Sequence, residues 1–280
     1  MRMKKEIMTL LWMLTISLGA MADNVMNYVG ISMEKEQKGA SSQVWVQFPT
    51  GDDSPVRRSV IDFIFQCMHS YTNANIIYPS NTCDEETFKA FLDIYTDSLC
   101  HAYSMDQQEY AAFCAESGEE YDVSWFHNFS IQEVAESDRY VSYSCYDGEF
   151  CGGAHDNRGS RAQTFSKSDG AAIDIFVADE DVADQMQDIL WKYLIDSEEE
   201  SDAKDFVEEI RNFLEANYGN PYQLHLPVQN IFLAPDGVHL QYPPLEICYW
   251  AMGSQEIVIP YEAAKPFLTS VAARLAGIEK

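Results

Sequence analysis

Two stretches alternate with period two: Trp125, His127, Phe129 and Ile131, then Val141, Tyr143 and Cys145. Apolar side chains on every second residue mark half-buried strands. The turn-prone Glu136-Ser137-Asp138 between them predicts a hairpin. Val44, Val46 and Phe48 alternate in the same way, and Gly51-Asp52-Asp53-Ser54-Pro55 reads as a turn opening a helix, Ser54 capping and Pro55 first inside. Helical spacing follows over 56–67, from Asp84 to 99, over a shorter 106–115, and again over 182–194, 206–214 and 267–275. Short strands are expected at 162–165, 172–175, 231–233, 238–241 and 257–259, with a glycine-rich loop over 147–159. Strands and helices are grouped rather than strictly alternating, which predicts an α+β fold. We expect two closely packed lobes, each of antiparallel strands with helices on one face, over residues 23–135 and 136–280.

Residues 1–22 stand apart from this pattern. Arg2, Lys4 and Lys5 precede a short apolar run, and Ala20-Met21-Ala22 has the small-x-small form cut by signal peptidase. The run is shorter than the roughly 20 apolar residues of a membrane anchor, and no cysteine stands at the cut. The expected mature protein is soluble and periplasmic or secreted, with no stable membrane insertion. With 45 acidic against 18 basic residues the chain carries a formal charge of −27. That excess argues against a nucleic-acid partner, which needs a basic face, and against binding to anionic lipid.

All seven cysteines lie beyond the leader, and in an oxidising compartment they read first as disulfides. Short separations favour Cys145–Cys151, Cys67–Cys83 and Cys100–Cys114, although spacing alone does not choose among the pairings and buried free thiols remain the other reading. Cys145, Cys151 and His155 lack a second ligand pair to complete a zinc site. No nucleophile elbow, zinc-protease helix, phosphate loop or calcium loop is present, so no metal or cofactor is expected. The residues that stand out are Asp147, Glu149, Gly152, Gly153, His155 and Asp156, where two glycines permit close backbone approach beside a histidine and carboxylates. Either a partner-binding rim or a loop pinned by the His155 ring fits this pattern. Tyr249 and Trp250 lie outside the periodic core faces and complete the candidate binding set.

Two longer stretches carry a family likeness. One runs Tyr143-Ser144-Cys145-Tyr146-Asp147-Gly148-Glu149-Phe150-Cys151-Gly152-Gly153-Ala154-His155, followed by Thr164-Phe165 and the 173–177 strand. The other holds Ile231-Phe232-Leu233-Ala234-Pro235-Asp236-Gly237-Val238, Pro244-Leu245-Glu246-Ile247 and Ile257-Val258-Ile259-Pro260-Tyr261. Their order resembles the C-terminal extracellular domain of the lysozyme-sensing anti-sigma factor RsiV, a domain of unknown function found in exported bacterial proteins. Residues 25–135 are similar in layout to the domain that usually precedes it, which also occurs before the catalytic part of the peptidoglycan deacetylase PdaC. The chain departs from the family at Leu245, usually Tyr, and at Trp250-Ala251-Met252-Gly253, usually Tyr-Ala-Glu-Gly. The resemblance implies a non-catalytic cell-envelope binding module, with a cationic protein such as lysozyme, or peptidoglycan, as partner. The alternatives are an envelope glycan-modifying enzyme using these carboxylates and His155, and a structural or accessory envelope protein.

Overall fold

The computed structural model describes residues 25–69, 76–178, 181–196 and 203–278, so the expected leader at 1–22 lies outside the described residues. A five-stranded sheet holds β1 (Asn27–Gln37), β2 (Ala40–Thr50), β3 (Trp125–Glu136), β4 (Tyr140–Phe150) and β5 (Asn157–Ser166) in chain order. Its neighbours are antiparallel except β2 and β3, which run parallel from Ala40↔Trp125 to Val46↔Ile131. The crossover between these two strands carries α1 (Pro55–His69) and α2 (Glu85–Glu116). Parallel pairing requires such a crossover, and amphipathic helices cover the sheet face it spans.

One face of the sheet packs on those helices. Ile31, Val44, Val46, Phe48, Phe129, Ile131, Tyr143 and Cys145 meet Val60, Ile64, Phe88, Leu92 and Tyr95 in one buried core. Ser54 caps α1 as expected, the Arg57 amide donating to its hydroxyl. The helix expected at 84–99 does not stop there: α2 runs 32 residues, about 48 Å of helix. It contains no Gly or Pro, and Ser104 and Gln107, near the expected break, donate to the Lys38 and Val123 carbonyls instead.

The opposite face of β3–β5 carries a second layer. β6 (Ile231–Ala234), β7 (Gly237–Tyr242) and β8 (Gln255–Ile259) form an antiparallel sheet. With α3 (Val182–Gln185), α4 (Gln187–Asp196), α5 (Ala203–Tyr218), α6 (Tyr261–Ala264) and α7 (Ser270–Leu275) it encloses a core that includes Leu190, Leu194, Ile210, Leu214, Leu233, Leu240, Ile257 and Leu268. The single helix expected over 182–194 is two, broken next to Gln187, whose side-chain amide bonds both backbone groups of Leu224. Strand β4 is buried on both faces: Val141, Tyr143 and Cys145 point to the helices, Tyr140 and Ser142 to the second layer.

At the seam the Ser142 hydroxyl donates to the Leu233 carbonyl (2.7 Å), the Leu233 amide donates to the Thr164 hydroxyl (2.9 Å), and the two hydroxyls lie 2.8 Å apart. The architecture is therefore α+β with two sheets. The division placed between 135 and 136 falls inside β3, and strands on both sides of it share one sheet. No helix among the described residues is long and apolar enough to cross a membrane.

Candidate functional site

The eight residues singled out for binding fall in three places. Asp147 and Glu149 are not in a loop, because β4 continues to Phe150 and β5 starts at Asn157. They extend the inward face of β4 beyond Cys145, which places them under α2. Asp147 is buried, with its Oδ1 2.8 Å from Nε2 of the fully buried His127. Burial raises its carboxyl, and His127 counteracts part of that rise. Glu149 accepts a short hydrogen bond from the Tyr103 hydroxyl of α2.

The second group sits on the short loop that remains, residues 151–156. Here the chain brings Trp250 to residues almost a hundred positions earlier. His155 stacks on the Trp250 ring with centroids 4.7 Å apart and planes at 17°. The Arg158 guanidinium lies 5.1 Å from the same ring, and its Nε donates to Asp156 Oδ2 at 2.8 Å. The Trp250 indole N–H donates to the Asp156 carbonyl at 3.0 Å. Ring, edge and N–H of Trp250 are thus engaged by protein, leaving little free face for a sugar to stack on. Gly152 has φ +86°, and a Cβ there would lie 2.8 Å from the Tyr121 hydroxyl, so glycine is required for the loop to fold against residues 121–125. Gly153, also at positive φ, faces open space.

Tyr249 forms the third place, edge-on to Phe213 of α5 at 5.2 Å. The carboxylates of the candidate set therefore do not converge on His155: Asp147 and Glu149 are engaged beneath α2, and Asp156 is held by Arg158.

The cysteine pairings are corrected. All seven thiols are free, and only Cys151 is exposed. Cys145 and Cys151 lie six residues apart along one extended segment, about 20 Å, far beyond the ~7 Å reach of a disulfide. Cys100 and Cys114 stand on one helix, separated by about 21 Å. Cys67 meets Cys145, not Cys83: contact with Cys145, followed by burial, pushes its thiol up. Cys83 stands just before α2, and its carbonyl accepts from Arg57 in the first turn of α1.

Three features went unnoticed in the sequence. The first is charge polarity. Between Lys89 and Arg158 stand fourteen acidic residues and one base, Arg139. That base is at the far turn of the β3–β4 hairpin, bonded to the Arg274 carbonyl. The C-terminal half of α2, the exposed Glu119, Glu120 and Asp122, and the β4–β5 loop make one end of the sheet acidic, with Lys38, the Asp93-paired Lys35 and the Asp156-paired Arg158 nearby.

The second is a polar cluster at the other end. Glu133 takes the inward position after Ile131, across from Tyr143 and close to Tyr28 and Glu136. Lys167, whose side chain is 3% exposed, lies 2.6 Å from Glu136, which also accepts from the Met26 amide. Burial, then Glu136, raises the Glu133 carboxyl from 4.5 to about 7, with Lys167 opposing. An acid raised in this way keeps its proton in the fold after the unfolded chain has lost it. Its stabilising contribution is full below pH 4.5 and is lost as pH climbs through about 7. Glu133→Gln should abolish that decline and raise stability at pH 8 by about 1–2 kcal/mol, after discounting for partial solvent contact. Urea midpoints at pH 5 and pH 8 would measure this, and an equal wild-type and variant change between the two would contradict it.

The third is a cleft of about 360 Å³ between α1 and β5. Ser59, Asp62, Phe63, Gln66 and Cys67 form its helical wall, and Arg161, Gln163 and Phe165 its strand floor. Gln229 lies on the rim in a left-handed conformation, φ 60°, unusual for a residue with a side chain.

Residues 173–262 match the DUF3298 family, described as a protein of unknown function. A DUF3298 family member from Bacteroides fragilis has a similar structure, with TM-score 0.67 and 18% identity, over 91% of this chain and 98% of that one. A DUF3298 family protein from Pseudomonas aeruginosa PAO1 follows with TM-score 0.57 and 11% identity, over 89% and 97%. No curated protein matches the sequence. The two-sheet α+β fold is thus shared with these proteins, and residues 173–262 are a DUF3298 domain.

Proposed function

We propose that the protein is an exported, non-catalytic binding module of the cell envelope whose acidic end receives a cationic protein surface. The observation that carries this reading is the acidic end of the sheet, where the C-terminal half of α2, the exposed Glu119, Glu120 and Asp122, and the β4–β5 loop bring acids together with few bases between them. A cluster of one sign steers an oppositely charged partner, raising association rates by about 10–10³-fold with a steep dependence on salt. The resemblance to the RsiV extracellular domain, preceded by a PdaC-type region, supports the same class and makes lysozyme the first partner to test.

The test is retention of hen lysozyme on the immobilised full chain at low and physiological salt. Lysozyme should be held at low salt and released as salt rises. A Glu119→Lys, Glu120→Lys, Asp122→Lys variant should lower the association rate about 10-fold. Three reversals on the exposed face of α5 (Glu208, Glu209 and Glu215) should lower it much less. Absence of retention at low salt, or equal loss in the two variants, overturns the reading.

A further inference from the structure

We propose that the cleft between α1 and β5 binds a small α-amino carboxylate, its carboxylate seated on Arg161 and its ammonium group on Asp62. The site lies on the flank of the sheet and is independent of the acidic end.

Arg161 differs from the other unpaired bases of the chain in lining this cleft. Lys35, Arg58, Lys89, Arg158 and Lys167 all sit against carboxylates, and Arg57 and Arg139 donate to backbone carbonyls. Among the described residues, no carboxylate or carbonyl engages the Arg161 guanidinium, although acids outnumber bases 45 to 18. Its position is fixed by register: Arg161 pairs with Cys145, so its side chain rises from the face that α1 covers. There it meets the cleft rather than open solvent. A planar guanidinium in a partly dehydrated recess is suited to a bidentate carboxylate.

Asp62 lines the same cleft from α1 yet forms no ion pair with Arg161. Its Oδ2 accepts from Asn81 at 2.8 Å, which orients the carboxylate. Opposite charges held apart across a cavity complement a ligand that carries both signs. Phe63 and Phe165, edge to face at 5.7 Å, supply an apolar floor for its carbon skeleton. Two backbone features shape the rim. Gly170 has φ +75°, and a Cβ there would stand 2.5 Å from the Pro55 carbonyl oxygen. Gln229 holds its left-handed backbone while its carbonyl accepts from the Ala162 amide at 2.7 Å. Strain of this kind concentrates at binding sites.

The experiment is calorimetric titration of the full chain with glycine, L-alanine, L-glutamine, acetate and methylamine up to about 10 mM. At least one of the amino acids should bind saturably and more tightly than acetate, with methylamine weakest. Arg161→Gln should weaken amino-acid binding about 10–100-fold, the range for a charge-assisted pair. Asp62→Asn should bring amino acids down to the acetate level without changing acetate. Ala172→Trp, which fills the rim without touching either charge, should abolish binding while the unfolding midpoint holds. Saturable binding by none of the three amino acids overturns the proposal, as does binding that survives Arg161→Gln. Loss with Arg161→Gln but not with Asp62→Asn overturns the amino-carboxylate assignment.

Discussion

Phe88→Ala is expected to lower the unfolding free energy by about 3–5 kcal/mol, the cost of removing a large aromatic from a closed core. The Phe88 side chain is fully buried on α2, stacked on Phe48 of β2 at 4.3 Å and 21°, with Phe65 and Phe91 at 6.0 and 5.9 Å. No flexible neighbour closes the gap, since every ring around it is held by another. The loss should be felt across the whole chain. The sheet beneath Phe48 is the same sheet whose reverse face carries the second layer, so the two cores share a wall. A single transition is therefore expected in urea, with Trp125 on the helix-covered side and Trp191 and Trp250 in the second layer reporting one midpoint, lowered equally by the substitution. Two separated midpoints would contradict a shared wall.

Thr164→Val is expected to cost about 1–3 kcal/mol although it keeps volume and shape. The Thr164 hydroxyl is the acceptor for the Leu233 amide, and it contacts Ser142 in a place fully closed to water. Valine leaves that amide buried without a partner, and such a group cannot recover its lost hydration. Ser144→Ala should be nearly silent by comparison, because Ser144 is half-buried and its bond to Gln241 is 3.3 Å long. Urea denaturation of the two variants side by side checks both statements. Equal costs would show that the Ser142–Thr164–Leu233 contact does not hold the layers together.

The strands legible in the sequence were those with one apolar face. Trp125 to Ile131 and Val141 to Cys145 alternate, and the hairpin joining them forms where the turn residues predict it. Legibility fails where a polar side chain is buried. Asp147 and Glu149 read as loop because carboxylates rarely face a core, yet they continue an inward face opposite His127 and Tyr103. Ser142 and Thr164 give no apolar signal, and their partner in β6 lies 69 to 91 residues further on, beyond any local pattern.

The candidate site was half legible. The loop glycines and His155 were found, and Trp250 does join them. Their contact uses the Trp250 ring internally, which composition does not reveal. Nothing drew attention to Arg161, because an arginine on an edge strand normally points to water. Its significance comes from α1 lying above it, across a crossover closed by β2 and β3.

That crossover also governs assembly in time. β1 and β2 can close as a local hairpin as soon as they are made, but the other edge of β2 finds its partner only when residues 125–131 arrive. Until then Val44 and Val46 stand on an open edge able to pair with another copy, and distant pairings of this kind form slowly. A nascent chain stalled before residue 125 should therefore be the aggregation-prone species, and a chaperone that shields β2 should rescue yield more than one acting on the finished protein.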